Sequence, residues 1–215
     1  MKNKYICPSL LSVPSEKRIE VAKELLNIGV QWIHYDIMDN EFVNNTAIEI
    51  DEYIEIIKST PGHLSDVHLM VKDPFAYAEK FKDYATCMTI HYESMPLENI
   101  LKFVKEYQQT TWIGLAIKPE TKFEEIEDII HHFEIILVMS VEPGFGGQVF
   151  IESTIPKIKQ ISKYIEDNKL QTIIQVDGGI NNTNSKKTFA AGASALVCGS
   201  YLINNLSVET LKKLY

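Results

Sequence analysis

The chain has few cysteines, no basic cluster and no long hydrophobic run, and each shortage excludes a class of protein. Its three cysteines, Cys7, Cys87 and Cys198, are far apart and form no CxxC pair, so neither a disulfide framework nor a zinc knuckle is expected, only buried thiols. No apolar run approaches the roughly 20 residues of a membrane-spanning helix. A strand-like Tyr5–Cys7 stands near the N-terminus in place of a signal-peptide core, and this favours a cytoplasmic location.

The charge balance argues against polyanionic partners. The 215 residues include 21 Lys and Arg against 29 Asp and Glu, a formal net charge of -8. Proteins that bind nucleic acid or anionic membranes concentrate Lys and Arg on one face, and we expect neither partner here. Linkers rich in Ser, Gly or Pro and low-complexity tracts are also lacking. This predicts a single domain over residues 1–215.

What the sequence does contain is a regular alternation of short apolar runs and longer helical stretches, typical of parallel strands joined by helices. Helices are predicted over 16–28, with Ser15 as N-cap and Gly29 as the stop, and over 157–167. An open doubly wound sheet would show the same alternation as a barrel. Strands are predicted at 5–9, 32–38, 65–71, 86–91, 112–117, 135–141, 172–177 and 195–199.

The positions of the polar residues favour a closed barrel. Ser9, His34, Asp36, His68 and Asp177 lie within or just after different predicted strands. In (β/α)₈ barrels, catalytic groups from several strands gather at the C-terminal mouth. The sequence therefore predicts an α/β protein with a single (β/α)₈ TIM barrel.

Polar residues at alternate positions of these strands indicate a metal site. Because side chains alternate along a strand, His34 and Asp36 share one face of the second strand, and Asp66 and His68 share one face of the third. Asp177 ends the seventh. Two imidazoles and two carboxylates suit Zn, Fe or Mn better than Mg or Ca. A hydrogen-bonded polar pair is the alternative for any one strand, but the recurrence on several strands favours a metal.

Glycines follow the last three predicted strands. They occur in segment 142–148, at Gly178 and Gly179, and at Gly199 before Ser200. Glycine lets backbone N–H groups approach an anion closely, and barrels often bind phosphate after strands seven and eight. Tight turns without a ligand are the alternative. The pattern favours a barrel of the phosphate-binding type and a phosphorylated substrate.

Together these segments resemble the ribulose-phosphate 3-epimerase family. The motifs occur in family order over nearly the whole chain, and they imply interconversion of D-ribulose 5-phosphate and D-xylulose 5-phosphate in the pentose phosphate pathway by a homo-oligomer. They are CPSLLS at 7–12, HYDIMD at 34–39, DVHLMVKDP at 66–74, MSVEPGFGGQVF at 139–150, VDGGI at 176–180 and CGS at 198–200.

The resemblance also implies a role for each matched residue. Asp36 and Asp177 would be the catalytic acid and base, and with His34 and His68 they would hold one divalent transition metal, zinc first, with iron or manganese as alternatives. The substrate would contact Ser9, His68, Gly146, Gly147, Gln148, Gly178, Gly179, Gly199 and Ser200. Three methionines would line the reacting centre, with plain core packing as the alternative: Met38, Met70 and Met139.

The chemistry is consistent with this set. Epimerising carbon 3 of a 2-ketose removes a proton alpha to the carbonyl and returns one to the opposite face of a planar enediolate. Asp36 and Asp177, on distant strands, could act on opposite faces, while a metal would stabilise the developing negative charge.

Three segments depart from the family pattern. Residues 11–15 replace LSADF, residues 39–45 replace DGxFVPN, and Lys118-Pro119 replaces Asn-Pro. All follow strands at the predicted mouth, so the substrate is less firmly implied than the reaction. Lys118 is predicted to be a solvated surface lysine, with an anion contact as the alternative, and His91 to be structural.

Three other functions stay open. The nearest is a D-allulose 6-phosphate 3-epimerase or a related hexulose-phosphate epimerase. A metal-free phosphate-binding barrel, such as a decarboxylase or an indole-pathway isomerase, would not need His34 and His68. A catalytically silent sugar-phosphate-binding barrel would keep the fold without turnover.

Overall fold

The computed structural model describes residues 3–215, and eight parallel strands form its centre. The strands pair in the order β1-β8-β7-β6-β5-β4-β3-β2, and a bridge between Ser9 and His34 brings the two ends together. The result is a nearly closed (β/α)₈ TIM barrel, as predicted. The strands are β1 (Tyr5–Cys7), β2 (Trp32–Met38), β3 (Leu64–Met70), β4 (Cys87–His91), β5 (Trp112–Ile117), β6 (Ile135–Met139), β7 (Ile173–Asp177) and β8 (Ala195–Val197).

Helices separate the strands. Between β5 and β6 two 3₁₀ helices, Phe123–Glu125 and Glu127–His132, take the place of an α-helix within the described chain; others lie at Ser15–Lys17 and Tyr92–Ser94. In residues 3–215 we find no helix with both the length and the apolar character needed to span a bilayer. The α-helices are α1 (Arg18–Asn27), α2 (Ile50–Ser59), α3 (Pro74–Phe81), α4 (Leu97–Tyr107), α5 (Thr154–Asp167), α6 (Ser185–Ala190), α7 (Ser200–Ile203) and α8 (Val208–Lys213).

The main hydrophobic core lies between the barrel and the helices. Strand residues with side chains on the outer face, such as Tyr35 and Val67, are fully buried there together with Tyr53 of α2 and Phe81 of α3. The rings of Tyr35 and Tyr53 meet edge to face, with centroids 5.0 Å apart. Since helices cover the outer face and side chains fill the inside, the strands are apolar over most of their length.

The inside of the barrel changes character along its axis. The strand register places His34 beside Asp66, and Asp36 beside His68, above an apolar layer at the N-terminal ends of the strands. Polar groups therefore gather at the C-terminal mouth. The apolar layer consists of Trp32, Cys87, Ile135 and Ala195, the first residues of their strands, and it extends to Cys7 and Val197, which end β1 and β8.

Two predicted helix starts were wrong. Ser15 does not cap α1, because it lies in a 3₁₀ helix and its hydroxyl donates to Glu52 Oε1 at 2.6 Å. The helix begins at Arg18, whose Nη1 lies 2.7 Å from Glu52 Oε2. The helix predicted from residue 157 begins earlier, at Thr154.

The cysteines are three buried free thiols, as predicted. Cys7 packs inside the barrel, whereas Cys198 belongs to the core between barrel and helices. Although β1 and β8 are neighbours, the two side chains lie on opposite faces of the sheet. They do not form a redox pair.

Gly29 and Gly192 provide a matched test of packing at helix ends. Both follow a helix with a positive φ, 95° and 116°. A Cβ at Gly192 would lie 2.2 Å from Ser162 Oγ, whereas one at Gly29 would meet nothing within 4 Å. We expect Gly29→Ala to lower the free energy of unfolding by about 1 kcal/mol through backbone strain, and Gly192→Ala by about 2–4 kcal/mol because overpacking is added. Urea unfolding measures both, and equal losses would contradict the packing account.

Candidate functional site

Four side chains from three strands converge at the C-terminal end of the barrel. His34, Asp36, His68 and Asp177 each offer one ligand atom, and these atoms all lie within 4.8 Å of one another. The register of β2 and β3 places Asp36 beside His68, and β7 brings Asp177 across to them. The structure thus brings together the four residues that were predicted as metal ligands.

The distances in this cluster suit coordination better than hydrogen bonding. His34 Nε2 lies 3.6 Å from Asp36 Oδ1 and 3.8 Å from Asp177 Oδ2, and His68 Nδ1 lies at the same two distances from these oxygens. These separations are too long for hydrogen bonds, and neither nitrogen has another hydrogen-bond partner in residues 3–215. Ligand atoms about 2.0–2.2 Å from one tetrahedral ion are themselves about 3.4 Å apart. The residues therefore fit a divalent transition metal.

The second nitrogen of His34 is held by a carboxylate. His34 Nδ1 lies 2.7 Å from Asp66 Oδ2, which also accepts from Gln175 Nε2 at 2.6 Å. In the neutral ring, a proton on Nδ1 leaves the lone pair of His34 on Nε2, directed into the cluster. The alternation along β3 had placed Asp66 on the correct face, but sequence reasoning assigned neither Asp66 nor Gln175 a role.

The second nitrogen of His68 contacts another histidine. His68 Nε2 lies 2.9 Å from His91 Nε2, and His91 Nδ1 lies 3.1 Å from Glu93 Oε2. Glu93 Oε1 accepts from the backbone N–H of Lys118 at 2.9 Å and from the Thr121 hydroxyl. Sequence reasoning missed Glu93, although His-x-Glu at the end of β4 repeats the alternation seen on β2 and β3.

The charges in the cluster are strongly perturbed. Burial opposes ionisation of Asp36, but His34 and His68 outweigh it and hold its pKa well below the usual range. Burial raises the pKa of Asp177 to about 7. Burial alone would lower the pKa of His34, yet the carboxylates of Asp66 and Asp36 raise it well above its usual value. Negative charge is in excess here, and the site therefore attracts a cation.

A cavity of about 260 Å³ opens at the mouth next to the cluster. Asp36 and Asp177 line it, together with Met38, Met70 and Met139. Among the described residues, no Lys, Arg or His lines this cavity. A phosphorylated ligand would therefore meet backbone N–H groups and hydroxyls instead of cationic side chains.

Most residues predicted to contact substrate line the same cavity. The Ser9 hydroxyl also donates to Asp36 Oδ2 at 2.6 Å and so orients that carboxylate. His68 differs, because it is fully buried and is not among the described lining residues. The predicted residues that do line the cavity are Ser9, Gly146, Gly147, Gln148, Gly178, Gly179, Gly199 and Ser200.

The turn after β7 requires glycine. At Gly179, with φ 65°, a Cβ would lie 2.5 Å from the backbone nitrogen of Phe150 and 2.8 Å from the Gln148 carbonyl oxygen. The N–H groups of Gly178, Gly179 and Gly199 donate to no backbone acceptor in residues 3–215. They remain available to a ligand.

The loop after β2 reaches across the mouth. Asn45 Nδ2 donates to the Gly144 carbonyl oxygen in the β6 loop at 2.7 Å. Lys118 is half-buried, with Nζ 4.7 Å from the centre of the Phe42 ring. The aromatic ring of the β2 loop therefore covers part of Lys118, which was predicted to be a solvated surface lysine. Two of the three segments that depart from the family pattern meet here.

The comparisons with known sequences decide the family. The model of the ribulose-phosphate 3-epimerase family matches residues 5–203. The chain belongs to the ribulose-phosphate 3-epimerase family. Ribulose-phosphate 3-epimerases of Synechocystis sp. and Bacillus subtilis are 35% and 34% identical over 94% and 91% of this chain, and over 89% and 90% of their own lengths. The resemblance seen in the motifs is confirmed, and the chain is an epimerase of this family.

Solved structures of lower identity share the barrel. A 3-hexulose-6-phosphate synthase has a TM-score of 0.67 at 17% identity and covers 100% of this chain and 98% of its own. A mutant tryptophan synthase alpha-subunit from Pyrococcus furiosus has a TM-score of 0.73 at 12% identity, with coverage of 99% and 95%. These likenesses concern the fold alone, whereas the sequence relatives support the epimerase function.

The contact between Asp66 and His34 yields a test of the metal site. Asp66→Asn removes the charge that would make His34 a strong ligand, and loss of such a partner weakens metal affinity by about 10–100-fold. Competition with a chromophoric chelator for zinc measures the effect. Asp167→Asn, on the exposed side of α5, is the control and should bind zinc as the wild type does. A folded Asp66→Asn protein with wild-type affinity would contradict the assignment.

Proposed function

We propose that the chain interconverts D-ribulose 5-phosphate and D-xylulose 5-phosphate by a metal-dependent, two-aspartate mechanism in the pentose phosphate pathway. One observation carries this proposal. Two buried imidazole nitrogens, which have no hydrogen-bond partner among residues 3–215, face two carboxylate oxygens beside the mouth cavity, at 3.6 and 3.8 Å. A site so arranged suits a divalent cation, and family membership supports the substrate.

His34, Asp36, His68 and Asp177 would hold one divalent transition metal. Mixed imidazole and carboxylate ligands suit zinc, iron or manganese, with zinc as the first choice. When bound, the metal supplies Lewis-acid stabilisation of the negative charge that develops on the substrate oxygens.

Asp36 and Asp177 move the protons. One carboxylate takes the carbon 3 proton from one face of the sugar, and the other returns a proton to the opposite face. They come from β2 and β7 and both line the cavity, so a planar enediolate could lie between them. Ser9 holds Asp36 Oδ2 at 2.6 Å, which leaves Oδ1 directed toward the histidines.

Met38, Met70 and Met139 would surround the reacting carbons. All three line the cavity, and each is at most 4% exposed. Thioethers are polarizable and apolar, so this wall would exclude water from the enediolate and protect it from stray protonation.

The phosphate group would bind on the side formed by the loops after β6, β7 and β8. Gly178, Gly179 and Gly199 line this side, and their N–H groups donate to no backbone acceptor among the described residues. Ser12 and Ser200 add hydroxyls, whose oxygens are 3.0 Å apart. Convergent backbone N–H groups form anion sites without a cationic side chain.

A hexulose phosphate is the second candidate substrate. A further cavity of about 290 Å³ adjoins the first through Glu142, Pro143, Phe145 and Gln148, and Lys118 lines it. It lies where two loops depart from the family pattern, and it offers space for one more carbon.

Turnover of the two sugar phosphates tests the substrate. We expect kcat/KM for D-ribulose 5-phosphate to exceed that for D-allulose 6-phosphate by about 10–200-fold, the range that a pocket can discriminate for one carbon unit. A coupled assay measures both reactions. A higher kcat/KM for D-allulose 6-phosphate would keep the mechanism and make a hexulose phosphate the substrate. No turnover of either sugar phosphate would favour the catalytically silent barrel.

Isotope exchange tests the two-aspartate mechanism. In D₂O, Asp36→Asn and Asp177→Asn should each slow epimerisation by at least about 100-fold. Each variant should still exchange the carbon 3 hydrogen of one epimer, a different epimer for each variant, because one base remains on one face. Because Asp36 and Asp177 are also proposed metal ligands, the metal content of each variant is measured on the same samples. Wild-type epimerisation by either metal-loaded variant would contradict the proposal.

Three further expectations stay predictions. They are a single domain over residues 1–215, of which 1 and 2 lie outside the described residues, a homo-oligomer, and a cytoplasmic location.

A further inference from the structure

A line of hydrogen bonds leads away from the candidate metal site at His68. His68 Nδ1 faces Asp36 and Asp177, and its other nitrogen, Nε2, lies 2.9 Å from His91 Nε2. His91 Nδ1 then lies 3.1 Å from Glu93 Oε2. Both rings are fully buried, so water does not compete for these positions.

Glu93 sets the direction of the hydrogen bonds along this line. Its Oε1 accepts from the Lys118 backbone N–H at 2.9 Å and from the Thr121 hydroxyl. A carboxylate has only acceptors to offer, so His91 Nδ1 must be the donor toward Oε2. The lone pair of neutral His91 then lies on Nε2.

The same direction continues to the metal site. A contact of 2.9 Å between two ring nitrogens requires one proton between them. Because His91 Nε2 has the lone pair, His68 Nε2 has the proton. The lone pair of His68 is thereby placed on Nδ1, the atom directed at Asp36 and Asp177.

We propose that Glu93 and His91 form a relay that fixes the tautomer of His68, and that both are positioning residues for the metal ligand. The inference rests on the proposed metal site. Both histidines have a carboxylate that fixes the position of the ring proton. Asp66 Oδ2 accepts from His34 Nδ1 directly, at 2.7 Å. Glu93 acts on His68 through the imidazole of His91. Both histidines then present a lone pair to the same point.

The relay also ties the ligand to the rim of the mouth. Lys118 and Thr121 belong to the segment after β5, and Lys157 Nζ donates to the carbonyl oxygens of Lys118 and Pro119 at 3.0 and 2.8 Å. The segment is thus fixed from two sides. The contacts of this segment hold the Lys118 N–H and the Thr121 hydroxyl at Glu93 Oε1.

Glu93→Gln reverses the relay while it preserves shape. In this variant the Lys118 N–H and the Thr121 hydroxyl still donate at the Oε1 position, so the amide oxygen of the new side chain takes that position. The amide NH₂ then takes the Oε2 position and faces His91 Nδ1. His91 would then accept at Nδ1 and donate from Nε2, and His68 would have its proton on Nδ1. We expect the zinc affinity to fall by about 10–100-fold, as for other partners of metal-bound histidines.

Thr121→Val is the matched control. It removes one hydrogen bond to Glu93 Oε1 but leaves Oε2 free to accept from His91. Zinc affinity, measured by chelator competition, should stay at the wild-type value. If Thr121→Val lost as much affinity as Glu93→Gln, loop disturbance would explain both and the relay would be overturned.

Ring-nitrogen NMR reads the tautomer directly and needs no activity. Two-bond ¹H–¹⁵N spectra of the six histidines should show His91 protonated at Nδ1 in the wild type and at Nε2 in Glu93→Gln. A wild-type His91 protonated at Nε2, or a Glu93→Gln protein that binds zinc like the wild type, would overturn the relay and leave the metal site intact. A wild type that binds none of zinc, iron and manganese would overturn the metal site, and the tautomer of His91 in that protein would still decide the direction of the hydrogen bonds.

Discussion

The architecture of the site depends on an electrostatic conflict at the mouth of the barrel. Asp36 and Asp177 are brought within 3.8 Å of His34 and His68 without hydrogen bonds to them. Burial of charged or unpaired polar groups costs several kcal/mol unless something compensates it. A divalent cation at the common point would compensate all four groups at once, and it would also offset the charge of an anionic substrate.

The fold supports this cluster unevenly around the barrel. β2, β3, β4 and β7 contribute inward polar side chains near the mouth, with Met38 and Met70 at the ends of β2 and β3, whereas β5 and β6 contribute the apolar Ala116, Leu137 and Met139. Each histidine of the cluster therefore has a polar neighbour behind it. An inward Gly114 on β5 makes room for Thr89, whose Oγ1 lies 2.3 Å from where a Cβ would stand.

Much of the fold was predictable from periodicity. β2 and β5 begin and end where the sequence predicted, because their apolar patterns are sharply bounded. β1 is shorter than predicted and ends at Cys7, since Pro8 cannot donate to a strand partner. The helix starts were less predictable, because Ser15 binds Glu52, a partner in another helix.

The candidate metal ligands were predictable for the same reason, because alternation along a strand places them on inward faces. The residues that hold these side chains and the mouth loops in place were not predictable. Gln175 reaches Asp66 across 109 residues, and Asn45 reaches Gly144 across 99. Such pairs depend on barrel closure and loop paths, which local patterns do not encode. Glu93 left a local signal in His-x-Glu, but its meaning depends on the 2.9 Å contact between His91 and His68.

The most direct test of the account is turnover of D-ribulose 5-phosphate by one preparation in three states: as isolated, after a chelator has removed bound metal, and after zinc, iron or manganese has been restored. The account predicts activity that disappears with the chelator and returns with a metal at one ion per chain. Full activity in protein shown to be free of metal would contradict it, because the four convergent ligand atoms would then have no part in the reaction.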